Sequence, residues 1–150
     1  MFEVTVDEYQ FPGLPLPTAG GSENSAFWRW LSKHELRIQC CNGCGTTRTP
    51  AEPLCHVCYS SESSWVEAPT QGRIYSWTRV WHAAADGLVG RTPYVLVWVE
   101  LDHPDRPRFL GNLLGDPLEP VEIDSPVTAV FEDFGAGTLL NWRRDIIAGT

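Results

Sequence analysis

The chain has 150 residues and a formal net charge of −8, from 11 Lys and Arg against 19 Asp and Glu. This length suggests one domain, or one domain with a small module, and the 43% of hydrophobic residues is enough for a core. Nucleic-acid binders usually contact phosphates through a basic patch. This sequence contains no run of three basic residues, so its charge argues against that class.

The N-terminal segment predicts neither a signal peptide nor a membrane span. It carries acidic residues and prolines where a signal peptide needs a basic end and an apolar stretch. The longest strongly apolar run, at 94–99, is too short to cross a bilayer. We therefore expect a soluble, cytoplasmic protein without membrane contact. Residues 1–24 are interpreted as an extended N-terminal arm, with a disordered tail as the alternative.

The pattern changes at Ser25, where an amphipathic helix is predicted to begin. Phe27, Trp30, Leu31 and His34 follow the spacing of one helical face. Apolar and polar residues then alternate over 36–40, which predicts a short strand leading into the first cysteines.

The second half of the sequence predicts a small antiparallel β-barrel. A long strand with both faces partly covered is expected at 72–81, and a loop containing Gly follows it at 82–93. No second helical pattern appears, and five strands after one short helix are typical of such a barrel. The remaining four strands are expected at Tyr94–Leu101, Arg108–Leu114, 127–131 and 138–144.

All five cysteines lie within residues 40–58. Four of them form two Cys-x-x-Cys pairs, Cys41 with Cys44 and Cys55 with Cys58. Each pair can present two sulfurs on one side of a tight turn, and two such turns complete a tetrahedron around zinc. A closed four-sulfur site leaves no position for water or substrate, so the predicted metal is structural. Iron, which fits the same cage, is the alternative.

The residues around the cysteine pairs carry further expectations. Gly43 and Gly45 are expected to supply positive φ angles in the first turn. Cys40 is an alternative to Cys41 as a ligand, but Cys41 gives the better spacing, so Cys40 is interpreted as a small buried residue at a strand end. His56 lies inside the second turn and is expected to point to solvent rather than to form a catalytic Cys–His pair.

The order of helix, cysteine module and barrel resembles a known family. Its members have an N-terminal helix, a rubredoxin-like zinc ribbon and a C-terminal OB-fold, and the resemblance covers about residues 25–145. The fold it implies is mainly β, with a helix and zinc ribbon at 25–66 followed by a five-stranded OB-fold barrel at 67–150. The features that carry the resemblance are Phe27-Trp28, Leu36, Ile38, Cys41-x-x-Cys44-Gly45, Pro50, Pro53, Cys55-x-x-Cys58, Gly72-Arg73-Ile74-Tyr75-Ser76, Pro93-Tyr94, Val99-Glu100-Leu101 and the segment 127–132.

This family, long called a domain of unknown function, is associated with acyl-CoA metabolism. The resemblance implies a non-catalytic accessory subunit, in a heterotetramer with a thiolase-like subunit of the lipid-transfer type. The implied reaction is the retro-aldol cleavage of a β-hydroxyacyl-CoA, such as a steroid side-chain CoA thioester. A thiolase or a hot-dog-fold enoyl-CoA hydratase is the alternative partner. The thiolase-like partner is implied to supply the catalytic residues, and the coenzyme A thioester is the implied shared substrate.

No residue of this chain is predicted to be catalytic. The sequence shows no paired carboxylates at a telling spacing, no Gly-x-Ser-x-Gly elbow and no phosphate-cradling loop. The four histidines are scattered along the chain, at His34, His56, His82 and His103, and each is interpreted as a surface or structural residue.

A contact with coenzyme A is predicted beside the long loop after the first barrel strand. Arginine suits phosphate groups, a flat ring suits adenine, and OB-folds commonly bind ligands through loops at the barrel mouth. The candidates are Arg79, Trp81, His82 and Arg91, with solvated charges and simple packing as the alternative. The segment 141–144 is a second candidate.

Two other function classes remain open. A nucleic-acid-binding module is compatible with a zinc ribbon and an OB-fold, but the net charge disfavours it. An independent hydrolase or an iron-loaded redox protein is the third hypothesis.

Overall fold

The computed structural model describes residues 25–134 and 137–146 of the chain. In this part, one short helix and a three-stranded sheet precede a closed five-stranded barrel. The predicted arm at 1–24 lies outside the described residues. None of the described helices is long and apolar enough to cross a membrane.

Helix α1 spans Ser25–Leu31 and is shorter than the predicted apolar stripe. It ends because His34 adopts a positive φ of 57°. The His34 amide donates to the Leu31 carbonyl at 2.8 Å and the Glu35 amide donates to the Trp30 carbonyl at 3.1 Å, which is the pattern of a Schellman cap. His34 therefore lies beyond the helix rather than on its face.

The His34 side chain anchors this helix end to the barrel. Its Nε2 lies 2.7 Å from Oδ2 of Asp133, and its ring stacks on Phe131 at 5.4 Å between centroids. The other oxygen of Asp133 accepts a 2.7 Å hydrogen bond from Thr138. The side chain of His34 therefore connects the end of the helix to Asp133 and Phe131 of the barrel.

The ribbon sheet follows the helix and contains strands β1 (Arg37–Cys41), β2 (Thr47–Arg48) and β3 (Ser63–Glu67). Both pairings are antiparallel, with β1 in the centre. Strand β1 is shifted by one residue from the predicted 36–40. Ile38 of this strand is 1% exposed and belongs to the same hydrophobic cluster as the barrel interior.

The barrel contains the five predicted strands, and the bounds of two of them were predicted exactly as found. The closing order is β4-β5-β6-β8-β7. The pairing of β6 with β8 is parallel, so the prediction of a wholly antiparallel barrel was wrong at this point. The parallel pair arises because the β7–β8 hairpin closes the barrel: β7 pairs with β4, and β8 pairs with β6. The strands are β4 (Gln71–Val80), β5 (Tyr94–Leu101), β6 (Arg108–Leu114), β7 (Pro126–Phe134) and β8 (Gly137–Arg144).

Strand β4 departs from the predicted alternation. Its register against β5 shifts between Ile74 and Ser76, and such a bulge redirects the side chains that follow it. Ile74 is buried, whereas every residue from Tyr75 to Thr78 is exposed. The prediction that both faces of this strand are partly covered was therefore wrong for its middle section.

The core is centred on Trp142, which is fully buried. Gly111 on β6 makes room for it: a Cβ atom there would lie 2.9 Å from the indole nitrogen and 2.7 Å from the Leu140 carbonyl oxygen. The buried cluster also includes Leu31 of the helix and Leu36 before β1. The helix, the ribbon sheet and the barrel thus share one hydrophobic core.

Gly72 offers a direct test of the barrel packing. A Cβ atom at this position would lie 2.5 Å from the Glu100 carbonyl oxygen, so Gly72→Ala is expected to lower the free energy of unfolding by about 1–3 kcal/mol. The matched control is Ser76→Ala on the exposed face of the same strand, where a change within about 0.5 kcal/mol is expected. Chemical denaturation of both variants checks this, and equal stabilities would contradict the packing described here.

Candidate functional site

The two cysteine pairs meet at one end of the ribbon. Cys41 ends β1, Cys44 lies in the turn that follows, and Cys55 and Cys58 lie in the loop before β3. The sulfurs of Cys41 and Cys58 are 3.5 Å apart, and those of Cys44 and Cys55 are 3.6 Å apart. All four sulfurs lie within 4.8 Å of one another.

The two turns have the same construction. In the first, the Gly43 amide donates to the sulfur of Cys41 at 3.3 Å and the Gly45 amide donates to its carbonyl at 2.9 Å. In the second, the amides of Val57 and Tyr59 make the equivalent bonds to Cys55, at 3.4 and 2.9 Å. Each turn therefore directs backbone N–H groups toward a sulfur.

Positive φ angles occur once in each turn. Gly45 has a φ of 78°, as expected. The expectation for Gly43 was wrong, because its φ is not in this range. A Cβ atom at this position would lie 3.4 Å from the sulfur of Cys58, which is close to an ordinary contact. Tyr59 takes the position of Gly45 in the second turn, with a φ of 60°.

These hydrogen bonds favour thiolate at part of the site. The amides of Cys58 and Val57 lower the pKa of Cys55 to about 6, and the amides of Cys44 and Gly43 lower the pKa of Cys41. The Ser60 amide also acts to lower the pKa of Cys58, but the neighbouring sulfurs of Cys41 and Cys44 outweigh it and raise that pKa to about 11. Four sulfurs at this spacing cannot all ionise without a cation to offset their repulsion.

The cluster fits a tetrahedral zinc ion. With Zn–S bonds of about 2.3 Å, the edges of the tetrahedron measure about 3.8 Å, and the sulfur separations of 3.5 and 3.6 Å are close to that length. Four thiolates would fill the coordination sphere, so the arrangement suits a structural metal and leaves no position for a substrate.

Cys40 and His56 stay outside the cluster. The Cys40 sulfur lies 3.4 Å from the Gly45 carbonyl oxygen, and the residue is half-buried rather than buried as expected. His56 is exposed. The sulfur of Cys41, and not that of Cys40, lies in the group of four.

The four predicted coenzyme A contacts differ in burial and in hydrogen bonding. Arg79 donates to the carbonyl oxygens of Pro117 and Glu119 at 2.7 and 3.0 Å, so its guanidinium holds the β6–β7 connection. Trp81 is 63% exposed and His82 is also exposed. Arg91 is half-buried just after the 3₁₀ turn at Asp86–Leu88.

The second candidate segment, 141–144, begins in the barrel core. Asn141 is 2% exposed; its side-chain amide donates to Glu132 at 2.6 Å, and its oxygen accepts from the Asn112 amide at 2.8 Å. Together with the buried Trp142, this makes the start of the segment part of the barrel framework.

Two adjoining clefts between the ribbon and the barrel were not predicted. One, here called the polar cleft, has a volume of about 870 Å³ and is lined mainly by polar and charged residues, among them Thr47, Arg106 and Tyr75. The other has a volume of about 460 Å³ and an apolar wall that includes Trp65 and Leu96. Residues from both parts of the molecule line both clefts, and these shared residues are Arg48, Thr49, Pro50, Trp98 and Arg108.

Three charged groups of the polar cleft are paired with one another, and a fourth is bound by a threonine of the ribbon. Glu100 contacts Arg106 at 2.6 Å and Arg108 at 3.0 Å, and Asp105 accepts from the Thr47 hydroxyl at 2.9 Å. The Arg108 guanidinium also lies over the Tyr75 ring, 3.5 Å from its centroid. The Thr47–Asp105 contact joins the ribbon edge to the β5–β6 connection, and the other contacts link β4, β5 and β6 to one another.

A four-cysteine ribbon in front of an OB-fold barrel defines a class of zinc-ribbon OB-fold proteins. Residues 28–63 match the family model of the ChsH2 rubredoxin-like zinc ribbon domain, and residues 65–132 match that of the ChsH2 C-terminal OB-fold domain. The chain belongs to the ChsH2 family. This confirms the predicted family and fold class, while the division at 25–66 and 67–150 stays a prediction.

Known proteins resemble this chain to different extents. The 3-oxo-4,17-pregnadiene-20-carboxyl-CoA hydratase alpha subunit of Mycobacterium tuberculosis is 32% identical over 135 residues, which is 89% of this chain; the chain spans 42% of that relative's length. A solved structure described as the Ltp2-ChsH2(DUF35) aldolase is 29% identical, with a TM-score of 0.75, and the match covers 85% of this chain and 98% of that one.

A crystal structure of a DUF35-family protein of unknown function from Sulfolobus solfataricus is 18% identical, with a TM-score of 0.57. The match covers 83% of this chain and 87% of that one. At this identity the similarity shows the fold alone.

The cysteine cluster gives a paired test. Cys44→Ser is expected to lower the zinc content and the melting temperature, because a four-thiolate site loses one ligand and the ribbon depends on it. The control is Cys40→Ser, which changes a neighbouring cysteine outside the cluster and is expected to retain both. Elemental analysis and thermal unfolding check the pair. Equal zinc content in the two variants would contradict this ligand set.

Proposed function

We propose that this chain is a non-catalytic accessory subunit of a thiolase-fold enzyme that acts on acyl-CoA. The proposed reaction is the retro-aldol cleavage of a β-hydroxyacyl-CoA, such as a steroid side-chain CoA thioester, into a carbonyl compound and a shorter acyl-CoA. One observation carries the proposal: the chain matches 98% of a chain in the structure described as the Ltp2-ChsH2(DUF35) aldolase, with a TM-score of 0.75.

The contacts of the ionisable side chains support an accessory role. Glu100 is paired with two arginines. Asp133 is hydrogen-bonded to His34 and Thr138, and the buried Glu132 accepts a hydrogen bond from Asn141. These carboxylates hold the fold together in the described part of the chain. We therefore assign the catalytic acid and base to the partner subunit.

We propose Cys41, Cys44, Cys55 and Cys58 as the ligands of a structural zinc ion. When bound, zinc would supply the charge that keeps four thiolates together. The four cysteine ligands would then hold the ribbon loops in place. Those loops form one wall of the clefts beside the barrel.

We infer a heterotetramer of two thiolase-like subunits and two copies of this chain, since thiolase folds are typically dimers. The coenzyme A thioester would be bound by both kinds of subunit. Trp81, His82 and Arg91 remain our candidates for contact with it, because Trp81 and His82 are exposed on the loop after β4 and Arg91 lies near the end of the same loop. Arg79 is the fourth, through its position beside that loop.

A hydratase complex is the second candidate. The Mycobacterium tuberculosis relative is named as the alpha subunit of a CoA-thioester hydratase, and this chain spans 42% of its length. This chain would then serve a separate hydratase subunit, for which a hot-dog fold is the expected architecture.

Co-expression with a thiolase-like protein from the same source tests the proposal. We expect a stoichiometric complex by light scattering, which cleaves the carbon–carbon bond of a steroid β-hydroxyacyl-CoA while neither subunit does so alone. Cys44→Ser should reduce the yield of complex, and Cys40→Ser should not. Cleavage by this chain alone, or failure to form the complex, would refute the accessory role. Complex formation and enoyl-CoA hydration with a hydratase subunit would support the second candidate.

A further inference from the structure

Arg48 is a buried cation whose hydrogen-bonding groups are unused. The residue is 4% exposed, and Nε and both terminal nitrogens of its guanidinium are buried with no hydrogen-bond partner. A buried charge without a partner is strongly destabilising, and buried polar groups are normally satisfied. The three nitrogens therefore indicate a missing anionic group.

The nearby carboxylates do not fill this need. Glu100 is held by Arg106 and Arg108 on the barrel side of the polar cleft. Asp105 accepts from the hydroxyl and the amide of Thr47, at 2.9 and 3.3 Å. These two carboxylates are thus used by other donors, and the exposed Glu52, which also lines the polar cleft, makes no hydrogen bond to Arg48. Arg48 is therefore left for a group from outside.

Arg48 lies where an amphipathic molecule would need a cation. It lines both the polar cleft of about 870 Å³ and the apolar cleft of about 460 Å³. The volume of the apolar cleft is within the range of about 300–1,000 Å³ that is typical of small-molecule sites. Phe27, Trp28, Trp65 and Leu110 line it, which suits a hydrocarbon body.

A second unused group lies on the apolar cleft. The side-chain oxygen of Asn112 is buried without a hydrogen-bond partner, while its amide nitrogen lies 3.3 Å from the oxygen of Asn141. An apolar cleft with a few convergent polar groups is the usual form of a ligand site. Asn112 offers an acceptor for a hydroxyl on the bound molecule.

We propose that the junction between ribbon and barrel is a binding site for an amphipathic organic anion. The apolar body lies in the cleft of about 460 Å³, and a carboxylate or phosphate group accepts paired hydrogen bonds from Arg48. The planar guanidinium matches both groups in this bidentate geometry. The site is complete within this chain, so it goes beyond the accessory role and does not depend on a partner subunit.

Tryptophan fluorescence tests the site on the zinc-loaded full chain. The probe is ω-bromododecanoate, whose bromine quenches nearby indoles, and Trp28, Trp65 and Trp98 line the apolar cleft. We expect saturable quenching by the carboxylate and weak quenching by the neutral ω-bromododecanol. Competition by dodecanoate and by dodecyl phosphate then shows which anionic group is preferred. Equal binding of acid and alcohol, or no saturable quenching by the acid, would overturn the proposal.

The variant Arg48→Met keeps an unbranched side chain and removes the charge. It is expected to weaken the anionic probe by about tenfold or more, because charge-assisted hydrogen bonds are lost. The matched control is Arg29→Met on the exposed side of α1, which changes the net charge equally and should leave binding unchanged. Unchanged affinity in Arg48→Met would overturn the assignment of this residue.

The stability of the ligand-free variant is a second readout. Removing an unpaired buried charge should leave the melting temperature of Arg48→Met unchanged or raise it. A large fall would mean that Arg48 has an internal partner, and the proposal would be wrong. The separate co-purification assay reports on the accessory role, so failure of this site and failure of the partnership are distinguishable.

Discussion

The convergence of four sulfurs within 4.8 Å is the constraint on which the ribbon depends. The stretch between Cys41 and Cys58 buries few apolar side chains, and Leu54 and Val57 are more than half exposed. A segment with so little burial cannot offset its loss of chain entropy by hydrophobic contacts alone. A metal held by the cysteines would provide the missing stabilisation. The same closure places strand β2, and with it Arg48, against the barrel.

The barrel in turn gives the ribbon a fixed base. Leu31, Leu36 and Ile38 belong to the same buried cluster as Val97 and Trp142, so the helix and the ribbon are packed on the barrel core through continuous apolar contact. The 2.7 Å contact between Nε2 of His34 and the Asp133 carboxylate adds a directional contact at the helix end. The ribbon side of the clefts is therefore positioned by the four-cysteine cluster. The barrel side is positioned by the packing of the hydrophobic core.

Some of these features are visible in local sequence patterns and others are not. The cysteine spacing predicts the cluster because two short turns carry all the ligands. Strands β5 and β6 have the predicted bounds because they are regular apolar segments limited by polar and Pro-containing loops. The bulge at Ile74 cannot be recognised in the sequence, because the alternation of residue types continues through it. The parallel pairing of β6 with β8 depends on how β7 closes the barrel. Arg48 follows two threonines in a polar stretch that resembles an exposed turn, so its burial follows only from the packing of the ribbon against the barrel.

Closure of the barrel limits how another protein chain can bind to it. A closed barrel has no edge strand with free backbone groups, so a second chain cannot extend it by strand addition. Contact with the barrel must be made by side chains. Tyr75, at the bulge of β4, and Trp98 of β5 are both nearly half exposed, and both line the polar cleft. Backbone pairing is left to the outer strands of the ribbon sheet, so the two halves of the chain offer a partner two different modes of recognition.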